Sequence, residues 1–114
     1  MSMDLEVWSS KPFDIESILN ENKDWKKYTD EWAYEGDGWQ VIVNLDKSED
    51  APESVYPIVS SPNYVGYISL EPIGANSEGY IFFEKTVRSL AKVSNGAWVD
   101  PYGDAFKSSE GSFE

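Results

Sequence analysis

The chain has 114 residues, and 21 acidic against 9 basic side chains give it a formal net charge of −12. This length fits one domain with a hydrophobic core of its own. Cysteine and histidine are both missing, which excludes disulfides, thiolate nucleophiles, metal sites built on either residue, and the commonest general base near neutral pH. The charge also disfavours direct contact with nucleic acid or with an anionic membrane surface.

No targeting segment is expected. Residues 1–10 contain no positively charged region followed by an apolar stretch, so they do not resemble a signal peptide. No apolar run is long enough to cross a membrane. Together with the lack of cysteine, these features predict a cytoplasmic protein.

The start of the chain predicts a strand followed by a short helix. Leu5 and Val7 lie two positions apart between less apolar neighbours, which predicts a strand over residues 4–9 with these two side chains facing the core. Pro12 is well placed near a helix start, and a helix is expected from residue 14 to about residue 22.

Two further strands and a hairpin are predicted in the middle of the chain. Residues 30–34 and 39–45 are rich in aromatic and β-branched side chains, and the Asp-Gly step between them is a strong hairpin signal. Residues 64–70 predict another strand, in which Gly66 indicates either a bulge or a close approach of two backbones.

A longer helix is predicted from about Ser77 to the Asn95-Gly96 pair. Apolar side chains recur there at spacings of three and four, with charged side chains between them. Asn and Gly both tolerate the left-handed backbone conformation that ends a helix. Residues 97–99 then predict a short buried strand that stops before Pro101.

The order of these elements predicts an α+β fold. The simplest arrangement is an antiparallel sheet of four to five strands with two helices on one face, which is a ferredoxin-like (split βαβ) sandwich. A different α+β roll with the same elements is the alternative. We expect a single domain over residues 1–103 and a loosely ordered acidic C-terminal tail over residues 104–114.

The negative charge is concentrated in one part of the chain. Residues 30–78 contain ten acidic side chains and a single basic one, Lys47, so they carry −9 of the net −12. Basic residues gather in 23–27 and 85–92. Such an uneven distribution favours a docking surface for a cationic protein partner, and the alternative is an acidic surface that only improves solubility.

The expected interface combines the acidic hairpin with the loop after it, where carboxylates alternate with an aromatic side chain. Its predicted partner-binding residues are Glu31, Trp32, Glu35, Asp37, Asp46, Glu49, Asp50 and Glu53. No catalytic residue, cofactor site or metal site is expected. The segment from Asp46 to Asp50 has alternating oxygen ligands, but Ala51 and Pro57 stand where a calcium loop needs Gly and Glu.

The end of the domain resembles a known class of proteins. Residues 90–101 run from a helix through Asn95-Gly96 into a strand that ends at an Asp-Pro step. This arrangement and the acidic α+β plan resemble small immunity proteins of bacterial polymorphic and contact-dependent toxin systems. The resemblance implies a cytoplasmic protein that binds and neutralises a cognate toxin domain by blocking its active site or an essential surface. The lack of histidine, cysteine and any recognised site motif separately predicts that the protein is not an enzyme.

Two other functions stay open at this point. The first is a small-molecule-binding or regulatory α+β module with an aromatic cleft formed by Trp25, Tyr28, Tyr64 and Tyr67. The second is an unusual enzyme, whose signature would be a buried carboxylate with a strongly raised pKa in a cleft.

Overall fold

One long helix packs against one face of a seven-stranded antiparallel sheet, in a computed structural model that describes residues 3–16, 24–71 and 77–113. The strands are ordered β2-β3-β4-β5-β1-β6-β7 across the sheet, and a 3-10 turn at Glu53–Val55 follows β4. In chain order the elements are β1 Met3–Ser9, β2 Lys26–Lys27, β3 Glu31–Glu35, β4 Gln40–Lys47, β5 Tyr64–Glu71, α1 Ser77–Ser94, β6 Ala97–Val99 and β7 Ala105–Phe106.

The predicted fold class is wrong in its number of elements. Instead of four to five strands and two helices in a ferredoxin-like sandwich, the described residues form seven strands and one α-helix. The two extra strands, β2 and β7, are two residues long each, too short for any alternation of apolar and polar side chains to reveal them. The helix predicted over residues 14–22 lies mostly outside the described residues.

The five longer strands and the long helix agree with the sequence predictions. β3 and β4 form the predicted hairpin, and their ladder ends at the Glu35–Gln40 pair. Gly38 in the connecting turn has φ 82°, a left-handed conformation that glycine adopts without steric cost. The helix is too polar to cross a membrane, and no other helix in the described ranges is long and apolar enough to do so.

Helix α1 forms because its apolar side chains share one face, and it ends in a Schellman motif. Phe83, Val87 and Leu90 are fully buried against the sheet. Asn95 adopts the left-handed conformation with φ 53°, its N–H donates to the Lys92 carbonyl at 3.2 Å, and the Gly96 N–H donates to the Ala91 carbonyl at 2.8 Å. This turn directs the chain into β6.

Gly66 marks a close approach rather than a bulge. The ladder runs through it without interruption, pairing it with Val7 on one side and Leu45 on the other. A Cβ at this position would lie 2.8 Å from Leu90 Cδ2, so the absence of a side chain lets α1 pack tightly over the centre of the sheet.

A second hydrophobic core lies on the opposite face of the sheet. Trp8 follows the inward-facing Val7 and therefore lies on the other face of β1. It is buried there at 2% exposure because the segment 51–59 folds over this end of the sheet. The residues of this second core are Trp8, Val55, Val59, Val65, Ala97 and Val99. The sheet is therefore covered on both faces at the β6 end.

The C-terminal segment, residues 104–113, contacts the domain through side chains and backbone. Trp98 Nε1 donates to the Glu110 carbonyl at 3.0 Å, and the ring centroids of Phe113 and Trp98 lie 4.5 Å apart. The Arg88 guanidinium donates to three carbonyl oxygens in the same segment. The described part of the tail predicted as loosely ordered over residues 104–114 thus contacts α1 and β6, and variants of Arg88 test how firmly it is held.

Candidate functional site

The sheet face opposite α1 is accessible over β3, β4, β5 and β1. Strand side chains alternate between the two faces, so the neighbours of the buried Leu5 and Val7 point away from the helix. On this face the register places Glu31 opposite Asn44, Asn44 opposite Tyr67, and Tyr67 opposite Glu6. We call these four residues the tyrosine row. Neighbouring strands lie about 4.8 Å apart, so the row extends roughly 15 Å across the sheet.

A less polar row runs beside the tyrosine row. Ala33 pairs with Ile42, Ile42 with Ser69, and Ser69 with Asp4, so small and apolar side chains occupy the middle of the face. Ile42 and Ser69 are half-buried, and Tyr67 keeps 37% of its surface exposed. This mixture of an aromatic ring, apolar surface and charge is typical of protein-binding surfaces.

Acidic side chains dominate this face. Six carboxylates against one ammonium, that of Lys26, give the strand residues of the face a local charge of −5. Lys26 lies 3.8 Å from Glu35, and both side chains are 61% exposed, so this ion pair is weak. The acidic sheet face is defined by Asp4, Glu6, Glu31, Glu35, Asp46 and Glu71, together with the tyrosine row and the row beside it.

Two of the carboxylates are oriented by uncharged donors. Trp8 Nε1 donates to Glu6 Oε1 at 2.9 Å. Gln40 Nε2 donates to Glu71 Oε2, also at 2.9 Å. An indole N–H or an amide N–H fixes the position of a carboxylate without cancelling its charge. These side chains are therefore held in place before any partner arrives, which lowers the entropy lost on binding.

Tyr67 reports the negative potential at the centre of the face. Burial raises the pKa of its phenol above the ordinary value, and the carboxylates of Glu6, Asp46 and Asp50 raise the pKa further. A negative potential disfavours the phenolate, since it would add another negative charge there. The same potential favours a cation placed over the ring.

Replacing Glu6 is expected to lower the Tyr67 pKa. In Glu6→Gln one of the carboxylates that disfavour the phenolate is neutral, so Tyr67 should ionise at lower pH than in the wild type. Absorbance titration of phenolate, with Tyr67→Phe subtracted, measures this. The raised pKa also makes the stability of the folded protein depend on pH. Neutral Tyr67 stabilises the folded state at pH values below the unfolded pKa of about 10. This contribution is lost as the pH rises through the folded-state pKa. An unchanged Tyr67 titration in Glu6→Gln would contradict the electrostatic cause.

The predicted partner-binding residues do not all lie together. Glu31, Glu35 and Asp46 lie on the acidic sheet face. Asp37 is at the tip of the hairpin and Glu53 begins the 3-10 turn. Glu49 and Asp50 follow β4, where they line a shallow depression with Lys47, Ser48, Asn63 and Tyr64.

Trp32 lies on the opposite face of the sheet from Glu31, Glu35 and Asp46. It is 8% exposed, packs in the core under α1, and has the Lys27 ammonium 5.7 Å from its ring centre. Its side chain is therefore not available to a partner that docks on the acidic sheet face.

The predicted partner-binding residues did not include Asp4, Glu6, Tyr67 and Glu71, which lie on the acidic sheet face. Tyr67 was named only for the alternative aromatic cleft. Alternation along β1 already places Asp4 and Glu6 on the face away from the core. The pairing of β1 with β5, which brings Glu6 beside Tyr67, joins residues far apart in the chain and left no local signal.

The aromatic residues of the alternative cleft are dispersed. Trp25 packs near Tyr34 and Phe82 on the α1 side, whereas Tyr67 lies on the opposite face. Tyr28 is exposed, and Tyr64 has the Lys47 ammonium 5.9 Å from its ring. These four rings form no common cleft in the part of the chain that the structure describes.

Within residues 3–16, 24–71 and 77–113, no three acidic side chains come close enough together to hold a metal ion. Comparisons with protein-family models, curated proteins and solved structures find no significant match to this chain.

Proposed function

We propose that this protein is an immunity protein that binds a basic surface of a cognate bacterial toxin domain and neutralises the toxin. The observation that supports binding is the acidic sheet face, where six carboxylates and one lysine lie on the same side of the sheet as the partly exposed Tyr67. The immunity role rests on the resemblance of residues 90–101 and of the acidic plan to that class of proteins.

The charge distribution supports a directed encounter with a basic partner. The three basic side chains of α1, Lys85, Arg88 and Lys92, lie on the opposite side of the sheet from the acidic face. A molecule with separated charges is oriented as well as attracted by a charged partner, and this raises the association rate more than the final affinity.

The acidic face suggests how a toxin would be neutralised. A partner docked there has its basic surface covered by carboxylates. If the toxin is a nuclease, that basic surface is where phosphates bind, and the acidic face competes with nucleic acid for it. Inhibition then requires occupation of the surface and no chemical step by the inhibitor.

Charge reversal on the acidic sheet face is expected to slow association with the cognate toxin domain, which is to be sought in the neighbouring reading frame. Reversing Glu31 and Asp46 to lysine changes the local charge by four units, so the association rate should fall at least about tenfold at low salt. The control variant reverses Glu78 and Glu110, which lie on the α1 side, and has the same net charge.

Stopped-flow mixing over a range of salt concentrations measures these rates, and co-expression with the toxin measures protection. The wild-type rate should fall steeply as salt is added, whereas the sheet variant should respond weakly. Equal slowing in the two reversal variants would show that net charge, not this face, controls the encounter. Absence of any complex with the toxin domain would overturn the immunity role.

A further inference from the structure

Resting on the proposed function, we infer that the centre of the acidic sheet face binds an arginine side chain presented by the basic partner. Its planar guanidinium lies over the Tyr67 ring and pairs with the carboxylate of Glu6 or Asp46. The inference names both the position at which the partner docks and the residue type that is recognised there.

The first support is the geometry around Tyr67. The register places Glu6 of β1 directly opposite Tyr67 of β5. Asp46 of β4 is opposite Val65, which lies two residues before Tyr67 on the same face of β5, so Asp46 is a diagonal neighbour of Tyr67. Facing residues of antiparallel strands have Cα atoms about 5 Å apart, and diagonal neighbours about 7–8 Å. A guanidinium over the ring is therefore within reach of a carboxylate on either side.

The second support is that no ion pair with a basic side chain in the described residues cancels the charge of these carboxylates. The Glu6 carboxylate is held by the Trp8 indole, and an Asp46 oxygen accepts a hydrogen bond from the Lys47 backbone N–H at 2.8 Å. Both donors are neutral. The negative potential that disfavours the Tyr67 phenolate is therefore still available to a partner's cation.

The third support is the surface beside the ring. Ile42 and Ser69 lie in the next row, half-buried and only weakly polar. An arginine side chain has three methylene groups that pack on such surface while its charged end pairs with a carboxylate. A small cation would leave this surface uncovered.

Arginine fits these features better than lysine does. Guanidinium is planar, stacks on aromatic rings and forms paired hydrogen bonds with a carboxylate, whereas an ammonium is a compact and strongly hydrated charge. A second copy of this chain fits poorly, because two faces that each carry a local charge of −5 repel each other.

A matched pair of short peptides tests the inference without the toxin. One peptide contains two arginines separated by glycine, and the other contains two lysines at the same positions. Titration of each into the isotopically labelled protein, followed by NMR, gives the affinity and the position of the contact. We expect the arginine peptide to bind about threefold more tightly and to shift the resonances of the tyrosine row.

Variants separate recognition by the ring from attraction by charge. Tyr67→Leu should remove the preference for arginine, whereas Tyr102→Leu, at an exposed tyrosine in the connection between β6 and β7, should keep it. Glu6→Gln should weaken both peptides by about threefold, and more at low salt. Circular dichroism and the spread of amide resonances verify that each variant is folded.

The outcomes distinguish this inference from the proposed function. Equal affinity for the two peptides, or shifts confined to other surfaces, would overturn arginine recognition at Tyr67 even if the toxin domain still binds. If the NMR resonances of the whole acidic sheet face broaden with protein concentration in the absence of peptide, the occupant is a second copy of the chain. That result would also overturn arginine recognition. Loss of toxin binding in the Glu31 and Asp46 reversal variant, with no peptide preference, would support the proposed function alone.

Discussion

We expect Gly96→Ala to lose about 3 kcal/mol of unfolding free energy, because a side chain there meets backbone that cannot move. A Cβ on Gly96 would lie 2.2 Å from the Trp8 carbonyl oxygen and 2.9 Å from Ser94 Oγ. Trp8 belongs to β1, which is paired on both sides, and Ser94 Oγ already donates to the Leu90 carbonyl at 2.7 Å. Urea denaturation monitored by tryptophan fluorescence measures the loss.

Gly38→Ala provides the control. Gly38 has φ 82° but no atom within 4 Å of an added Cβ, so its replacement costs only the left-handed conformation, about 1 kcal/mol. Gly96 has no such φ, and its replacement therefore isolates the steric clash. If the two variants lose the same free energy, the contact between the end of α1 and β1 is not rigid.

The end of α1 shows how far sequence reasoning extends. The Asn95-Gly96 pair correctly predicted a helix end, since either residue tolerates a left-handed conformation. The structure divides two tasks between them: Asn95 takes the left-handed φ, and Gly96 gives room for the Trp8 carbonyl. The first task is local and visible in the sequence. The second depends on a strand nearly ninety positions earlier in the chain, and no local pattern reports it.

The short edge strands were missed for a related reason. β2 exists because Lys26 and Lys27 pair with β3, and β7 because Ala105 and Phe106 pair with β6. Two residues have no detectable period, so only the partner strand defines such an element. The extra strands changed the number of elements without altering the predicted longer strands.

Part of the acidic sheet face can be predicted from the sequence, because charge and alternation are local properties. Glu31 and Glu35 alternate with Trp32 and Tyr34, and the sequence alone does not say which set faces the larger core. The structure buries Trp32 under α1 and leaves the acids on the other face. Tyr67, the ring that is partly exposed among the acids, comes from another strand. Its neighbours are set by strand pairing, which the sequence did not specify.

Arg88→Ala is expected to release the C-terminal segment and to lose about 2–3 kcal/mol of unfolding free energy. The guanidinium donates to the carbonyls of Ser108, Glu110 and Gly111 at 3.0, 2.9 and 2.8 Å. It also lies 5.3 Å from the Trp98 ring centre and 5.0 Å from that of Phe113. One planar, always charged side chain thus contacts four of the six residues 108–113, and lysine cannot reproduce its set of donors.

Limited trypsin digestion and urea denaturation together measure this effect. Cleavage after Lys107 should become faster in Arg88→Ala, and nearly as fast in Arg88→Lys, because lysine keeps the charge but loses the geometry. The control is Lys92→Ala, one turn further along α1 at an exposed position, which should change neither quantity by more than a small amount.

The fluorescence of Trp98 gives a second readout of whether the C-terminal segment is attached. Trp98 is fully buried, and its indole N–H donates to the Glu110 carbonyl, so a detached segment exposes a core tryptophan to water. Its fluorescence should therefore shift to longer wavelength in Arg88→Ala. If wild-type protein is already cleaved after Lys107 as fast as the variant, residues 108–113 are loosely held, and the tail predicted from the sequence describes this segment better than the contacts with Arg88 do.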